Sequence, residues 1–97
     1  MDTSPANWPK NISVLLPAYK ASASLTPFLQ RLLAIVPAGN ICVVDDGSHD
    51  TTPDICSQLR IQCISHAYNR GKGAALVTGF AELLAKNCDW ILTMDAD

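Results

Sequence analysis

A chain of 97 residues with a formal charge of -2 and no basic block has room for one small domain but lacks the electrostatic footprint of a nucleic-acid binder, so no nucleic-acid partner is expected. Apolar residues make up 48% and charged residues 16% of it, which excludes a disordered chain. Chains of this size bury roughly two thirds of the surface that their unfolded form exposes, so a real core is within reach.

The first ten residues, MDTSPANWPK, are polar and hold Pro5 and Pro9. They read as a loose lead-in to a domain over residues 11–97. They contain no apolar stretch of the kind a signal peptide needs, and no run in the chain reaches the roughly 18 apolar residues of a membrane span. The expected location is cytoplasmic, with a longer parent at the cytoplasmic face of a membrane left open.

ISVLL, Ile12 to Leu16, is a short apolar run closed by Pro17 and fits a strand buried on both faces. SLTPFLQRLLAIVPAG then reads as a helix with Leu25, Phe28, Leu29, Leu32 and Leu33 at helical spacing, ended by Pro37 and Gly39. ICVVDDGS is a second buried strand entering a turn. HDTTPDICSQLR follows, with Thr52 as the expected N-cap and Pro53 at the first helical position. IQCIS is a third strand and AYNRGKG a loop. Ala74 to Lys86 is a helix with an apolar stripe of Leu76, Val77, Phe80, Leu83 and Leu84, and DWILTM is a fourth strand.

Strand and helix alternate throughout, which calls for right-handed crossovers and a parallel sheet: an α/β, Rossmann-like fold. The cysteines Cys42, Cys56, Cys63 and Cys88 show no C-x-x-C spacing and read as buried thiols rather than a zinc site. His49 and His66 each stand alone, so a histidine-built metal site has little support.

In such sheets ligands bind beyond the C-terminal strand ends, where the strand order reverses. The polar residues collect there. Tyr19 and Lys20 follow strand one, Asp45 and Asp46 close strand two, Asn69 to Gly73 follow strand three, and Asp95 and Asp97 close strand four. D-D-G-S is also what a tight turn uses, and N-R-G-K-G at a helix start favours anions but is no Walker A motif. D-A-D is the sharpest signal, because two carboxylates at a strand terminus suit a hard divalent ion with positions left for phosphate oxygens.

In order, ISVLLPAYK, VVDDGSHDTT, NRGKGAALVTG and WILTMDAD resemble the N-terminal half of family 2 glycosyltransferases of the GT-A fold, over almost the whole chain from Ile12. NRGKGAAL is most similar to the branch that includes dolichyl-phosphate mannose and glucose synthases. The resemblance implies a truncated GT-A domain with strand order 3-2-1-4, the first two helices on one face and the third on the other. It implies that Pro17, Ala18 and Tyr19 line the base and ribose pocket and that Asp46 accepts a hydrogen bond from the base. Gly71 and Lys72 would lie on the nucleotide side. Asp95 would approach the ribose or metal, and Asp97 would be the main protein ligand to Mg2+ or Mn2+ bridging the diphosphate.

The implied activity is transfer of a sugar from a UDP- or GDP-linked donor to an acceptor hydroxyl or a polyprenyl phosphate, the acceptor being a lipid phosphate or a polysaccharide. No catalytic residue is assigned, since the family's base lies beyond the D-x-D motif and is expected after residue 97. Where the family commonly shows Asn and Glu after Pro-x-Tyr, this chain has Lys20 and Ala21. As an apolar edge, strand four would be open to self-association. Two alternatives remain: a non-catalytic nucleotide-binding fragment, and another doubly wound class such as a phosphoacceptor or phosphatase domain. The latter places its key aspartate after the first strand, where this chain has PAYK.

Overall fold

The structure, a computed structural model, describes residues 7–96. Four strands, β1 (Ile12–Ala18), β2 (Ile41–Asp45), β3 (Gln62–Ser65) and β4 (Trp90–Thr93), alternate with helices α1 (Ser22–Leu33), α2 (Thr52–Gln58) and α3 (Lys72–Ala85). All neighbouring strands run parallel in the order β3-β2-β1-β4, the order implied by the resemblance.

The two central strands read as continuous apolar runs because both of their faces are covered. Val14, Leu16, Ile41 and Val43 point to one face, where Leu25, Leu29 and Leu32 of α1 and Cys56 of α2 cover them. Leu15, Cys42 and Val44 point to the other, against Ala75 and Leu83 of α3. Each fully buried leucine contributes about 1.5–3 kcal/mol relative to exposure, so this doubly covered centre is the firm part of the molecule.

β1 continues two residues past the expected stop. Leu15 O accepts the Met94 N–H and Ala18 O accepts the Asp46 N–H, so odd residues of β1 face β4 and even ones face β2. Pro17 therefore turns its missing donor toward the side where the β4 ladder has already ended, and the strand loses nothing.

Three local expectations change. α1 runs from Ser22 to Leu33, so it starts and stops before the expected bounds. α2 begins at Thr52 itself, and the side chain that satisfies its first turn is Asp50, whose Oδ1 accepts the Thr52 N–H at 2.9 Å. Hydrogen bonds from Thr52 and Ser22 outweigh burial and hold the Asp50 carboxyl below its ordinary range.

The stripe of α3 is the largest difference. Its buried residues are Ala75, Gly79 and Leu83, whereas Val77, Phe80 and Leu84 are exposed. A Cβ on Gly79 would clash with the Leu15 side chain. The helix thus seats on the sheet through its smallest residues, and part of its apolar surface faces outward.

The lead-in is tied down from Trp8 onward: Trp8 Nε1 donates to Ile12 O at 2.7 Å and Asn40 Nδ2 donates to Lys10 O at 3.2 Å. Cys42 and Cys56 are buried, while Cys63 and Cys88 are only partly so, and all four are free thiols. No described helix is long and apolar enough to cross a membrane.

Candidate functional site

The reversal of strand order falls between β1, which leads back to β2, and β4. A cleft of about 350 Å³ opens there, lined by Pro17 and Ala18 of β1 and Tyr19 just after it, Asp46 just after β2, Gly71 and Lys72 before and in α3, and Asp95 after β4. Every residue to which the resemblance gives a site role is brought to this cleft except Asp97, which lies outside the described residues, whereas Lys20, Asp45, Arg70 and Gly73, also at the strand ends, do not line it. Asn69 and Ala75 also line it. Ala75 carried no polar signal in the sequence, because its contribution is its small size.

The paired aspartates of D-D-G-S point to opposite faces and do different work. Asp45 Oδ1 accepts the Ser48 N–H at 3.1 Å and closes the turn, while Ser48 Oγ accepts the Lys20 N–H at 2.8 Å and ties the end of β1 to it. Asp46 turns toward α3. Its Oδ1 accepts from the Arg70 N–H at 2.9 Å and from His66 Nδ1 at 2.8 Å, and its Oδ2 accepts from the Gly71 N–H at 2.8 Å and Asn69 Nδ2 at 3.2 Å.

A carboxylate offers about four acceptor positions, so Asp46 is saturated by its own chain. Burial raises its pKa, but the hydrogen bonds from His66, Arg70 and Gly71 outweigh it and hold the carboxyl below its ordinary value. The Gly71 N–H is likewise committed.

Gly47 explains how the two loops come so close. It adopts φ +77, and a Cβ there would collide with the backbone of Tyr68 and Asn69. The glycine of the turn is therefore required twice, for its dihedral angle and for the approach of the 68–71 loop.

The other side of the cleft is open. Lys72 Nζ and Asp95 Oδ1 form an ion pair at 2.6 Å with both side chains more than half exposed. Ala96, between the two aspartates of D-A-D, is buried, and its carbonyl accepts from Ser24 Oγ at 3.2 Å. That anchor turns the preceding carboxylate outward. At the β1 corner Tyr19 is exposed, with Lys20 Nζ 5.3 Å from its ring centroid. Among the described residues no three His, Cys, Asp or Glu side chains converge on one point.

His66 is the feature of this site that the sequence missed. Read as isolated, it bridges Asp46 and Thr78, with its Nε2 2.8 Å from Thr78 Oγ1. Its partners lie 20 and 12 residues away, beyond any local motif.

A parallel sheet in this order, with a polar cleft at its switch point, defines a doubly wound α/β domain of the kind that takes ligands beyond its strand ends. The sequence profile described as Glycosyl transferase family 2 matches residues 13–97, and the chain belongs to that family. It is 34% identical over 98 aligned positions to an undecaprenyl-phosphate 4-deoxy-4-formamido-L-arabinose transferase of Photorhabdus laumondii, covering 91% of this chain and 29% of that one. The protein of the same description from Pectobacterium atrosepticum is 31% identical over the same shares.

Among solved structures, glucosyl-3-phosphoglycerate synthase of Mycobacterium tuberculosis, in complex with Mn2+, UDP and phosphoglyceric acid, superposes with a TM-score of 0.70 at 26% identity, covering 90% of this chain and 33% of that one. The chain thus spans about a third or less of the length of these relatives.

Proposed function

We propose that this chain forms the donor-binding side of a glycosyltransferase that moves a sugar from a nucleoside diphosphate, UDP in the first instance, to a polyprenyl phosphate. The observation that carries the reading is the cleft itself. Its one wall is a preset hydrogen-bonded loop, its other wall an exposed lysine and carboxylate, and both stand at the strand ends where a nucleotide lies in this architecture. The UDP and Mn2+ of the synthase structure support the donor class, and the undecaprenyl-phosphate in the relatives' names supports the acceptor class.

In this reading Pro17, Ala18 and Tyr19 pack against base and ribose, and Lys72 meets the diphosphate. Asp46, expected from the resemblance to accept from the base, has its acceptor positions taken by His66, Asn69, Arg70 and Gly71, and contributes instead by holding the loop. Asp95 and Asp97 would hold a divalent ion, whose chemistry is to stabilise the charge of the diphosphate leaving group. Asp95 fits the role as an exposed carboxylate whose one recorded partner is a lysine, since such ions bind through one or two carboxylates plus phosphate oxygens and water. No residue of this chain is assigned as the base that deprotonates an acceptor. Binding of donor, without turnover, is the activity expected of these residues alone. Pairing of two chains through β4, an edge strand among the described residues, would appear as reversible dimerisation in sedimentation velocity.

Thermal-shift titrations with UDP and GDP, each with Mn2+ or with EDTA, test the donor reading. At ten times its Kd a ligand adds about 1.4 kcal/mol, and each kcal/mol moves the Tm of a domain this size by roughly 4–8 °C. A shift with UDP that needs Mn2+ and is lost in Asp97→Ala is the expected result. A folded sample that neither nucleotide shifts would overturn the reading.

A further inference from the structure

His66 does not itself line the cleft, yet it hydrogen-bonds Asp46, which does, and it links the ends of β2 and β3 to α3. It follows β3 directly, its side chain is 6% exposed, and its backbone N–H donates to Asp45 O at 2.8 Å. One ring nitrogen meets Asp46 and the other meets Thr78, near the middle of α3. We infer that His66 is a positioning residue of the donor cleft: it fixes the Asp46 carboxylate, and through it the 69–71 loop and Lys72, relative to α3. The inference rests on the donor-site reading for its functional meaning, although its structural half stands apart from that reading.

The chemistry of the chain sets its direction. An ionised carboxylate only accepts, so Nδ1 must carry the proton that points at Asp46, and in the neutral ring Nε2 accepts the Thr78 hydroxyl proton. Without the ring, Asp46 would keep the Arg70 and Gly71 N–H groups only as loosened partners, and carboxylate and loop could then shift as one body. Thr78 prevents this, because it refers that body to a helix whose seat on Leu15 leaves no room even for a methyl group at Gly79. The loop ends at Gly71 with φ +98, and the next residue is Lys72, whose ammonium crosses to Asp95. A change of loop orientation is therefore delivered directly to the charged side of the cleft.

Two isosteric replacements separate the two halves of the relay. His66→Asn places an amide N–H where Nδ1 was and keeps the bond to Asp46; His66→Gln reaches toward Thr78 and abandons Asp46. The readouts are amide hydrogen exchange at Arg70 and Gly71, measured by NMR on the free chain, and UDP affinity in the presence of Mn2+. His66→Gln and His66→Ala should speed exchange at both amides and weaken UDP by roughly tenfold, the size of one lost hydrogen bond to a charged group. His66→Asn should restore most of the exchange protection.

Thr78→Val should loosen UDP with the Asp46 bonds intact, and Thr78→Ser should restore it; this pair carries the test if His66→Ala fails to fold. Unchanged exchange and affinity in His66→Gln, or equal losses in His66→Asn and His66→Ala, would overturn the proposal. If the wild type binds no nucleotide, the donor reading fails by itself, and exchange at Arg70 and Gly71 still decides whether His66 positions the loop.

Discussion

The two carboxylates that face the cleft from opposite sides, Asp46 and Asp95, have the same chemistry and opposite environments. Asp46 is buried and accepts four hydrogen bonds from its own chain. Asp95 is exposed and pairs with a single flexible lysine. A saturated carboxylate cannot exchange partners without leaving buried donors unpaired, which costs about 1–3 kcal/mol for each. An exposed ion pair, worth about 0–1 kcal/mol, exchanges freely. One wall of the cleft is thus built before any ligand arrives, and the other is left to be completed by one.

The sharpest way to break the built wall is Gly47→Ala. A methyl group there meets backbone on the facing loop, which cannot swing aside as a side chain could, and alanine also resists φ +77. Backbone strain and the displaced loop together should cost about 3 kcal/mol or more. That is a large share of the stability of a small domain, and the fall in the urea midpoint measures it.

Asp46→Asn comes next, at about 2 kcal/mol, because an amide replaces one acceptor oxygen with a donor facing the Gly71 and Asn69 N–H groups or their counterparts. The pH dependence has a defined sign. The folded-state pKa of Asp46 lies below the ordinary 3.8, so its stabilisation is fully present above that value and is lost as pH falls through the lower folded pKa. Wild type and Asp46→Asn should therefore differ most above pH 4–5 or so and converge in stronger acid. Parallel denaturation curves across that range would remove Asp46 from its place in the built wall.

How much of this contrast the sequence displayed depends on distance along the chain. The alternation of apolar runs placed every strand, and the polar residues at their ends marked the cleft, because both signals are local. The relay through His66 was illegible, since Asp46 and Thr78 are distant in sequence and neither forms a motif with it. The seat of α3 was misread for a related reason: hydropathy weights Val77, Phe80 and Leu84, whereas the sheet selected Ala75 and Gly79 for close approach. Small residues that permit contact carry almost no signal of their own. The outward turn of Asp95 depends likewise on burial of Ala96, which the tripeptide alone does not reveal.

The smallest effect on stability is expected on the open wall, and there the consequences for binding divide. Lys72→Met removes the ion pair with Asp95 and should change stability by no more than about 0.5 kcal/mol, as exposed pairs do. It takes away a cation that competes with a metal for the Asp95 carboxylate, and it also takes away a positive charge available to a diphosphate. Mn2+ alone should then bind somewhat more tightly to Lys72→Met than to wild type, while UDP with Mn2+ should bind more weakly; electron paramagnetic resonance titration of free Mn2+, with and without UDP, reads both. Asp95→Asn should weaken both titrations without destabilising the fold. Equal behaviour of the two variants would mean that Lys72 and Asp95 act only as partners of each other, and the open wall would then lose its claim to the ligand.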